Sequence, residues 1–397
     1  MLVDAVGAGI FIPFSLVFFT KEAGIPLATV GAVLTLSRLA GILFSMLGGW
    51  LADRVDLKSL AVVCMVARAA GYGGYLLVDD LFQFVFVAVF AVAGDRIYWS
   101  AHPLIIRRIA SDRDRERWFG LVGSTRNLGI AVGAMVAGLL VSASEDAGLR
   151  TVVAVQALSF VMAALFLMLQ PIAAAGAARV RGKKRATWRV LMEGPEFLAL
   201  TLAKTQLCFC LLAVPAIVPL YVLETLHAPA WAGSGLWILN CLMVVFLQGP
   251  VVAVGETRAR TKMLLLSAFC GITSSAIFFL AGSFSGTTVI LIATVVAMVV
   301  FTVGELTAGP PSDALALRLS PEEHQGRFMA TYGLSWSIAS VLVPILTTSL
   351  LAMGPLWLWS GIALNCAVAL SILGWLHRRP EIDQLNRELV LLARAGR

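Results

Sequence analysis

Three observations predict an all-α integral membrane protein of twelve transmembrane helices in two six-helix halves. The first is composition: of 397 residues, 59% are hydrophobic and 13% charged, with a mean hydropathy of +0.89, whereas a soluble domain carries about a quarter charged residues. The second is a recurrence of apolar runs long enough to cross a hydrocarbon core, which takes roughly 20 residues of helix. The third is that Lys and Arg collect in every second connection between those runs. β-Strand alternation is absent, and in hydrocarbon every backbone polar group needs an internal partner, so helices are the only spanning structure left.

In chain order the runs fall at 2–20, 28–50, 59–78, 81–105, 118–141, 149–170, 195–222, 231–253, 262–282, 287–309, 328–351 and 355–376. The connection after the second holds Arg54 and Lys58, and that after the fourth holds Arg107, Arg108, Arg113, Arg115 and Arg117. The next of this set carry Arg179, Arg181, Lys183, Lys184, Arg185 and Arg189, then Arg258, Arg260 and Lys262, then Arg318 and Arg327. The tail adds Arg378, Arg379, Arg387, Arg394 and Arg397, while the intervening connections hold Lys21 and Arg150. Basic loops stay on the cytoplasmic side, so both termini are expected there, in the inner (plasma) membrane. An odd number of spans would mix the two sets. The net charge of +7 is thereby assigned to topology and an anionic inner leaflet, not to nucleic acid.

The amino terminus has no basic region ahead of its apolar stretch, so no cleavable signal is expected. Met1 opens almost directly into the first span, and a start a few residues upstream would lengthen the helix around Asp4. Residues 171–193, Ala/Gly-rich and then strongly basic, read as a cytoplasmic linker between a first half at 1–170 and a second at 194–377, with a tail at 378–397. The halves share a charge pattern: "GGWLADRVDLK" (48–58) follows the second span and "GPVVAVGETRARTK" (249–262) follows the eighth. Repeated six-helix units are an architecture of secondary transporters, with substrate held near the midplane. The six cysteines all lie in apolar runs and read as small packing residues, with no metal site.

Gly49-x-Leu51-Ala52-Asp53-Arg54 resembles the signature loop between the second and third helices of the major facilitator superfamily. The resemblance extends over all twelve spans and implies that Asp53 and Arg54 form a cytoplasmic gate contact, with Gly49 in the motif and Lys58 at its basic end. Asp56 stands at the motif's later glycine and Leu57 at a usually basic position. Gly120, Gly129, Gly133 and Gly138 are similar in spacing to the fifth-helix pattern of the superfamily's proton-coupled drug exporters, with Ala134 at the proline and Ala137 at a glycine. Such small residues let helices approach closely.

"AVFAVAGDRIYWSAHPLII", from Ala88 to Ile106, sets Asp95 beside Arg96 in the middle of a span. A lone charge at that depth costs about 2.5–3.5 kcal/mol on insertion scales. Neighbours on a helix point about 100° apart, so the two are expected to find different partners across the bundle. The basic residues inside spans are Arg38, Arg68, Arg96, Arg126 and Lys204, and the acids are chiefly Asp4, Asp95 and Glu305. Arg126 is expected to reach an acid on the fourth span. Arg96 matches the superfamily's fourth-helix arginine of proton transfer, with Trp99-Ser100 in place of the usual Gln-Gly. A carboxylate balanced between desolvation and a nearby arginine can take and release a proton as access alternates, which makes Asp95, Glu305 and Asp4 the candidate proton carriers; a fixed ion pair aligning helices is the competing role. Glu305 is expected late in its helix, where Gly304, Gly309, Pro310 and Pro311 can break or bend it. Lys204 either pairs with an acid or meets an anionic substrate. His102 reads as structural.

Phe11, Phe14, Tyr98, Trp99, Trp237 and Trp336 are the candidates, with Lys204, to line a substrate cavity, favouring a hydrophobic organic compound. In the tail, Ile382, Leu385, Leu389 and Leu392 predict an amphipathic helix on the inner leaflet. The expected activity is proton-coupled export of small hydrophobic compounds by a functional monomer. Its partners are substrate, protons and the lipid bilayer, with no cofactor, metal, nucleic acid or catalysis. Uptake or facilitated diffusion on the same fold is the alternative. An intramembrane enzyme lacks support: Ala93-Gly94-Asp95 has no second catalytic aspartate in a suitable setting, and no His-Glu-x-x-His occurs. A non-transporting receptor is separated only by the absence of substrate movement.

Overall fold

The computed structural model describes residues 2–11, 18–19, 27–78, 80–111, 114–143, 145–169, 194–229 and 231–394. The helices are α1 (Leu2–Phe11), α2 (Leu27–Ala52), α3 (Leu57–Gly74), α4 (Leu81–Ile109), α5 (Arg115–Ala143), α6 (Glu145–Leu169) and α7 (Pro195–Leu220). They continue with α8 (Trp231–Gly255), α9 (Arg260–Ala281), α10 (Thr287–Leu319), α11 (Gln325–Met353), α12 (Pro355–His377) and α13 (Pro380–Arg394). Among the described residues, 11 helices are long and apolar enough to cross a membrane, and α1 is a shorter apolar helix. The rest of the first expected span, apart from Phe18 and Phe19, and the linker at 171–193 lie outside the described residues. The chain is a multi-pass membrane protein, and large apolar side chains such as Leu43, Phe82 and Phe246 are exposed on it.

Local chemistry sets the helix ends. Asp56 caps α3 by accepting from the Ser59 N–H at 3.0 Å, which satisfies one of the donors a helix start leaves open. Pro355 opens α12 directly after Gly354, whose φ of 125° suits glycine. One span departs from the expected bounds: α10 runs to Leu319, ten residues past the predicted end at 309, with Pro310 and Pro311 inside it. A proline frees the carbonyl four residues earlier. For Pro310 that carbonyl belongs to Leu306, and Gln248 of α8 donates its side-chain amide to it at 3.2 Å. The helix therefore continues where the sequence suggested a break.

The chain forms two compact units: unit 1 comprises 1–109, 122–187 and 321–333, and unit 2 comprises 110–121, 188–320 and 334–397. The start of α5 thus belongs to unit 2 and the start of α11 to unit 1. Unit 1 is centred on aromatic side chains, with Phe11 against Tyr72 at 5.2 Å and Phe19 against Phe84 at 4.6 Å between ring centroids. Unit 2 has Trp359 stacked on Phe278 at 4.7 Å, while Tyr221 donates to the Phe278 carbonyl at 3.1 Å. Glycines bring helices together: a side chain at Gly129 would fall on Ala5, and one at Gly133 on the Val6 backbone. The fifth-helix glycines at 129 and 133 therefore pack α5 on α1. Gly120 faces Val252 of α8, and Gly138 is helical, with its surroundings outside the described residues.

Candidate functional site

Inside unit 1, Arg68 of α3 places Nη2 3.2 Å from Asp4 Oδ1 and 3.2 Å from Asp95 Oδ1. Asp4 and Arg68 are buried, whereas the Asp95 side chain keeps 32% of its surface accessible. Gly94 makes the approach of α4 to α3 feasible, because a Cβ there would lie 3.0 Å from Arg68 Cγ and 3.1 Å from the Cys64 carbonyl. The Arg68 guanidinium also lies over Phe160, 3.9 Å from the ring centroid, a desolvated cation–π contact. Two carboxylates thus share a single guanidinium nitrogen. Arg126 of α5 also lies within electrostatic range of both carboxylates, so the cluster is a network of two acids and two arginines.

The ion pair to the α4 acid is made by Arg68, while Arg126, expected to reach that acid, lies over the Trp99 ring at 5.1 Å and within electrostatic range of Asp95 and Asp4. Sequence alone placed both in spans, and nothing in their spacing chose between them. Arg96 turns away from Asp95, its Cγ packing where a Gly41 side chain would be, on α2. The two adjacent charges serve different helices, as their angular separation requires. His102 is buried beside the Tyr98 and Trp99 rings, at 5.7 and 5.1 Å.

In unit 2, Glu305 lies near the middle of α10 rather than late in it, because the helix is longer than expected. Its Oε2 accepts from Asn240 Nδ2 at 2.7 Å, and the same amide reaches Thr302 Oγ1 at 3.0 Å. It has no ion-pair partner among the described residues. Lys204 finds an acid, Asp313, at 3.6 Å. Asp313 stood in an expected loop and lies in α10 for the reason given by Gln248.

The loop after α2 also acquires a geometry. Asp53 Oδ1 accepts from the Gly326 N–H in the first turn of α11 at 2.7 Å, and Arg327 Nε is 3.9 Å from Oδ2. Gly49 and Gly326 face each other so closely that a side chain on either would overlap the other's backbone. Arg107, at the end of α4, donates to Gln325 and Glu322. Arg54, in the turn after α2, instead stacks on Trp50 near the end of that helix at 4.1 Å. Lys58 donates to the Met168 carbonyl at 3.0 Å, at the end of α6. Asp56, the departure from the motif, caps α3 and pairs with Arg108 at 3.0 Å.

A corresponding network in unit 2 was not singled out from sequence. Arg117 of α5 makes a two-pronged contact with Glu256, 2.8 Å on each prong, and Arg260 pairs with Glu116. Glu256, Glu116 and Arg260 are buried. The tail helix joins them: Asn386 of α13 accepts from the Arg260 N–H at 2.8 Å and donates to Thr261 Oγ1 at 3.1 Å. Ile382, Asn386 and Leu389 of α13 are buried, so this face is turned to protein instead of the expected leaflet. Leu385 is half-buried, and the Leu392 side chain lies outside the described residues. The repeated charges at 48–58 and 249–262 were the available signal.

The aromatic candidates are dispersed. Phe11 and Tyr98 are buried, Phe11 within the unit 1 aromatic core. Trp99 lies beneath Arg126, while Trp237 and Trp336 are 44% and 39% exposed. Phe14 lies outside the described residues.

A bundle of apolar spans with a buried acid–arginine cluster and charged contacts at its loops is the architecture of a membrane carrier. The Major Facilitator Superfamily matches over residues 1–344, and the chain belongs to that superfamily of transporters. It is 23% identical over 366 residues to a Na(+), Li(+), K(+)/H(+) antiporter of Planococcus maritimus, covering 84% of this chain and 83% of the relative. It is also 23% identical over 337 residues to multidrug resistance protein MdtH of Salmonella typhimurium, covering 84% and 81%. Among solved structures, a bacterial homologue of the iron transporter ferroportin in an outward-facing state is similar, with a TM-score of 0.80 at 14% identity over 95% of this chain and 97% of that one. The proton:xylose symporter XylE has a TM-score of 0.71 at 15% identity, over 94% of each chain. At these identities the structural likenesses establish the fold.

Proposed function

We propose that this transporter is a proton-coupled exporter of small hydrophobic organic compounds, working by alternating access with both termini and the basic loops cytoplasmic. The observation that carries the reading is the Asp4–Arg68–Asp95 cluster, in which two carboxylates share one guanidinium nitrogen at 3.2 Å each. Arg126 lies within electrostatic range of both acids. A proton gained or lost at either carboxylate changes the charge balance of the cluster in low dielectric, and a conformational change that admits water relieves the imbalance. Asp95, the more accessible of the two, is the exchanging group, and Asp4 keeps Arg68 in place. The multidrug resistance relative and the antiporter relative support export and proton exchange respectively. In this reading the halves 1–170 and 194–377 are the moving bodies, and the Asp53–Gly326 contact is part of the cytoplasmic gate. A second reading, exchange of a monovalent cation for a proton, draws on the same pair of carboxylates and on the antiporter relative.

The test is transport in inside-out vesicles carrying the full chain, with an imposed pH gradient, over lipophilic cations, neutral compounds and organic anions, and with Na+ and K+ as separate arms. Asp95→Asn is expected to reduce gradient-driven accumulation at least tenfold while preserving exchange, since the amide keeps hydrogen-bonding shape but does not titrate. Arg68 retains Asp4 in that variant, so thermal stability changes little. Accumulation that persists in both Asp95→Asn and Asp4→Asn overturns the proton assignment. Movement of Na+ or K+ without any organic substrate selects the second reading.

A further inference from the structure

A cavity of about 240 Å³ lies within unit 2 between α7, α11 and α12. Its two ends differ in chemistry. Thr205, Gln206 and Asn365 line one end, from the middle of α7 and the middle of α12. Leu342, Leu346 and Leu350 of α11 form an apolar wall running toward the α11–α12 turn, where Gly361 keeps the space open. A side chain at Gly361 would come within 3.0 Å of Leu350 Cδ1.

The polar end is incomplete. Asn365 Oδ1 is buried and accepts no hydrogen bond, a state that costs stability unless a donor arrives. Thr205 does not supply one, because its hydroxyl is engaged with the Thr201 carbonyl at 2.9 Å and Ser335 Oγ at 3.1 Å. No acidic or basic side chain lines the space. A cationic ligand would therefore stay uncompensated in low dielectric. A phospholipid is also a poor fit, since its polar group belongs at the membrane surface and this cavity is polar at mid-depth. At about 30 Å³ per water, the volume holds roughly eight waters, enough room for a one- or two-ring compound.

We infer that this cavity is a binding site for small neutral aromatic compounds bearing a single hydrogen-bond donor, the phenol class, with the hydroxyl donating to Asn365 Oδ1 and the ring against the α11 leucines. Binding there does not depend on the direction or coupling of transport. Treating such compounds as exported substrates rests on the export reading above, which the vesicle assay tests separately.

Equilibrium binding of radiolabelled 2-naphthol and of naphthalene to the purified full chain in detergent decides it. The expected result is saturable binding of one 2-naphthol per chain, about tenfold tighter than naphthalene, as one ordinary hydrogen bond provides. Asn365→Leu is expected to bring 2-naphthol down to the naphthalene level, and Leu342→Trp, which fills the space, to remove both. Equal affinities in the wild-type chain, non-saturable partitioning alone, or unchanged 2-naphthol affinity in a folded Asn365→Leu chain overturns the inference. The wild-type comparison needs no variant, so it stands even if a substitution prevents folding.

Discussion

The α2–α3 and α8–α9 connections occupy equivalent places in the two halves of the sequence, yet they hold their neighbours by different chemistry. At the first, Asp53 accepts one backbone N–H from the start of α11, with Arg327 at 3.9 Å. The stabilisation comes from a helix N-terminus and its partial positive charge. At the second, Glu256 and Glu116 each take an arginine, Arg117 in two-pronged form and Arg260 in a buried pair, and the tail helix adds Asn386. Titration separates the two designs further. Burial pushes the Asp53 carboxyl above its usual range, outweighing the Gly326 N–H and the Arg327 charge that pull it down. Asp56, three residues on, is held below the usual range, first by the Ser59 N–H and then by Arg108. A similar charge pattern in sequence therefore codes for one contact that releases easily and another that is costly to break. Under the export reading, the first is suited to open in each cycle and the second to need a compensating event.

The largest expected effect belongs to the second connection. Glu116→Ala leaves Arg260 as a buried charge without its carboxylate, and removing one partner of such a pair costs about 3–5 kcal/mol. A marked fall in the unfolding temperature of the purified chain is expected, and Arg117→Ala, which leaves the buried Glu256 without its partner, should lower it as well. Small shifts in both variants would show that the second connection is no costlier to break than the first. Next in size is Asn386→Ala, which removes the acceptor for the Arg260 N–H and the donor to Thr261. Its expected cost is about 1–3 kcal/mol, read as faster hydrogen exchange at the start of α9 and easier proteolysis of α13. Unchanged exchange there would remove the tail from the network.

A smaller effect is expected at the first connection. Asp53→Asn keeps an acceptor for Gly326 but loses the charge, worth on the order of 1 kcal/mol at a helix N-terminus. Distances between labels on the α2–α3 loop and the start of α11 should shift toward the open population about fivefold. No shift, combined with impaired transport, would mean that Asp53 acts elsewhere than at the gate. The smallest effect is the pH response. Because the Asp53 carboxyl is raised, the native state holds its proton to higher pH than the unfolded chain does. Falling pH neutralises Asp53 before an ordinary aspartate, relieving its desolvation cost but removing its attraction to the α11 terminus. Because relief of the desolvation cost outweighs the lost attraction, protonation favours the closed contact, and the same label distances should shift toward the closed population at milder acidity than an unshifted aspartate near 3.9 would give. The Asp56 cap should persist below that point. Opening of the contact as pH falls through this range would reverse the assignment.

Much of the fold was legible because the bilayer imposes a length and a polarity on every span. The expected bounds of the second to ninth, eleventh and twelfth runs lie within a few residues of α2–α9, α11 and α12. The tenth was misread because the carbonyl freed by Pro310 is satisfied from another helix, by Gln248. The charged residues were visible as costly exceptions in an apolar background, and so were Asp4, Arg68, Asp95, Arg126, Lys204 and Glu305 as a set. Their pairings were not. A helix spacing tells which side of a span a residue occupies, but not which neighbouring span faces that side.

By itself, then, the sequence determined the solvent, the order of the spans, the connections that carry basic charge and most of the ionisable groups set within spans, because these follow from hydrophobic length and the expense of charge in hydrocarbon. Tertiary structure alone decided that Asp95 shares Arg68 with Asp4, that Lys204 meets Asp313, that Arg54 stacks on Trp50 and that the tail reaches Arg260. Each of these depends on the rotation and close approach of one helix against another. That approach is set by glycines such as Gly94, Gly129 and Gly133 meeting particular neighbours, and it has no one-dimensional signature.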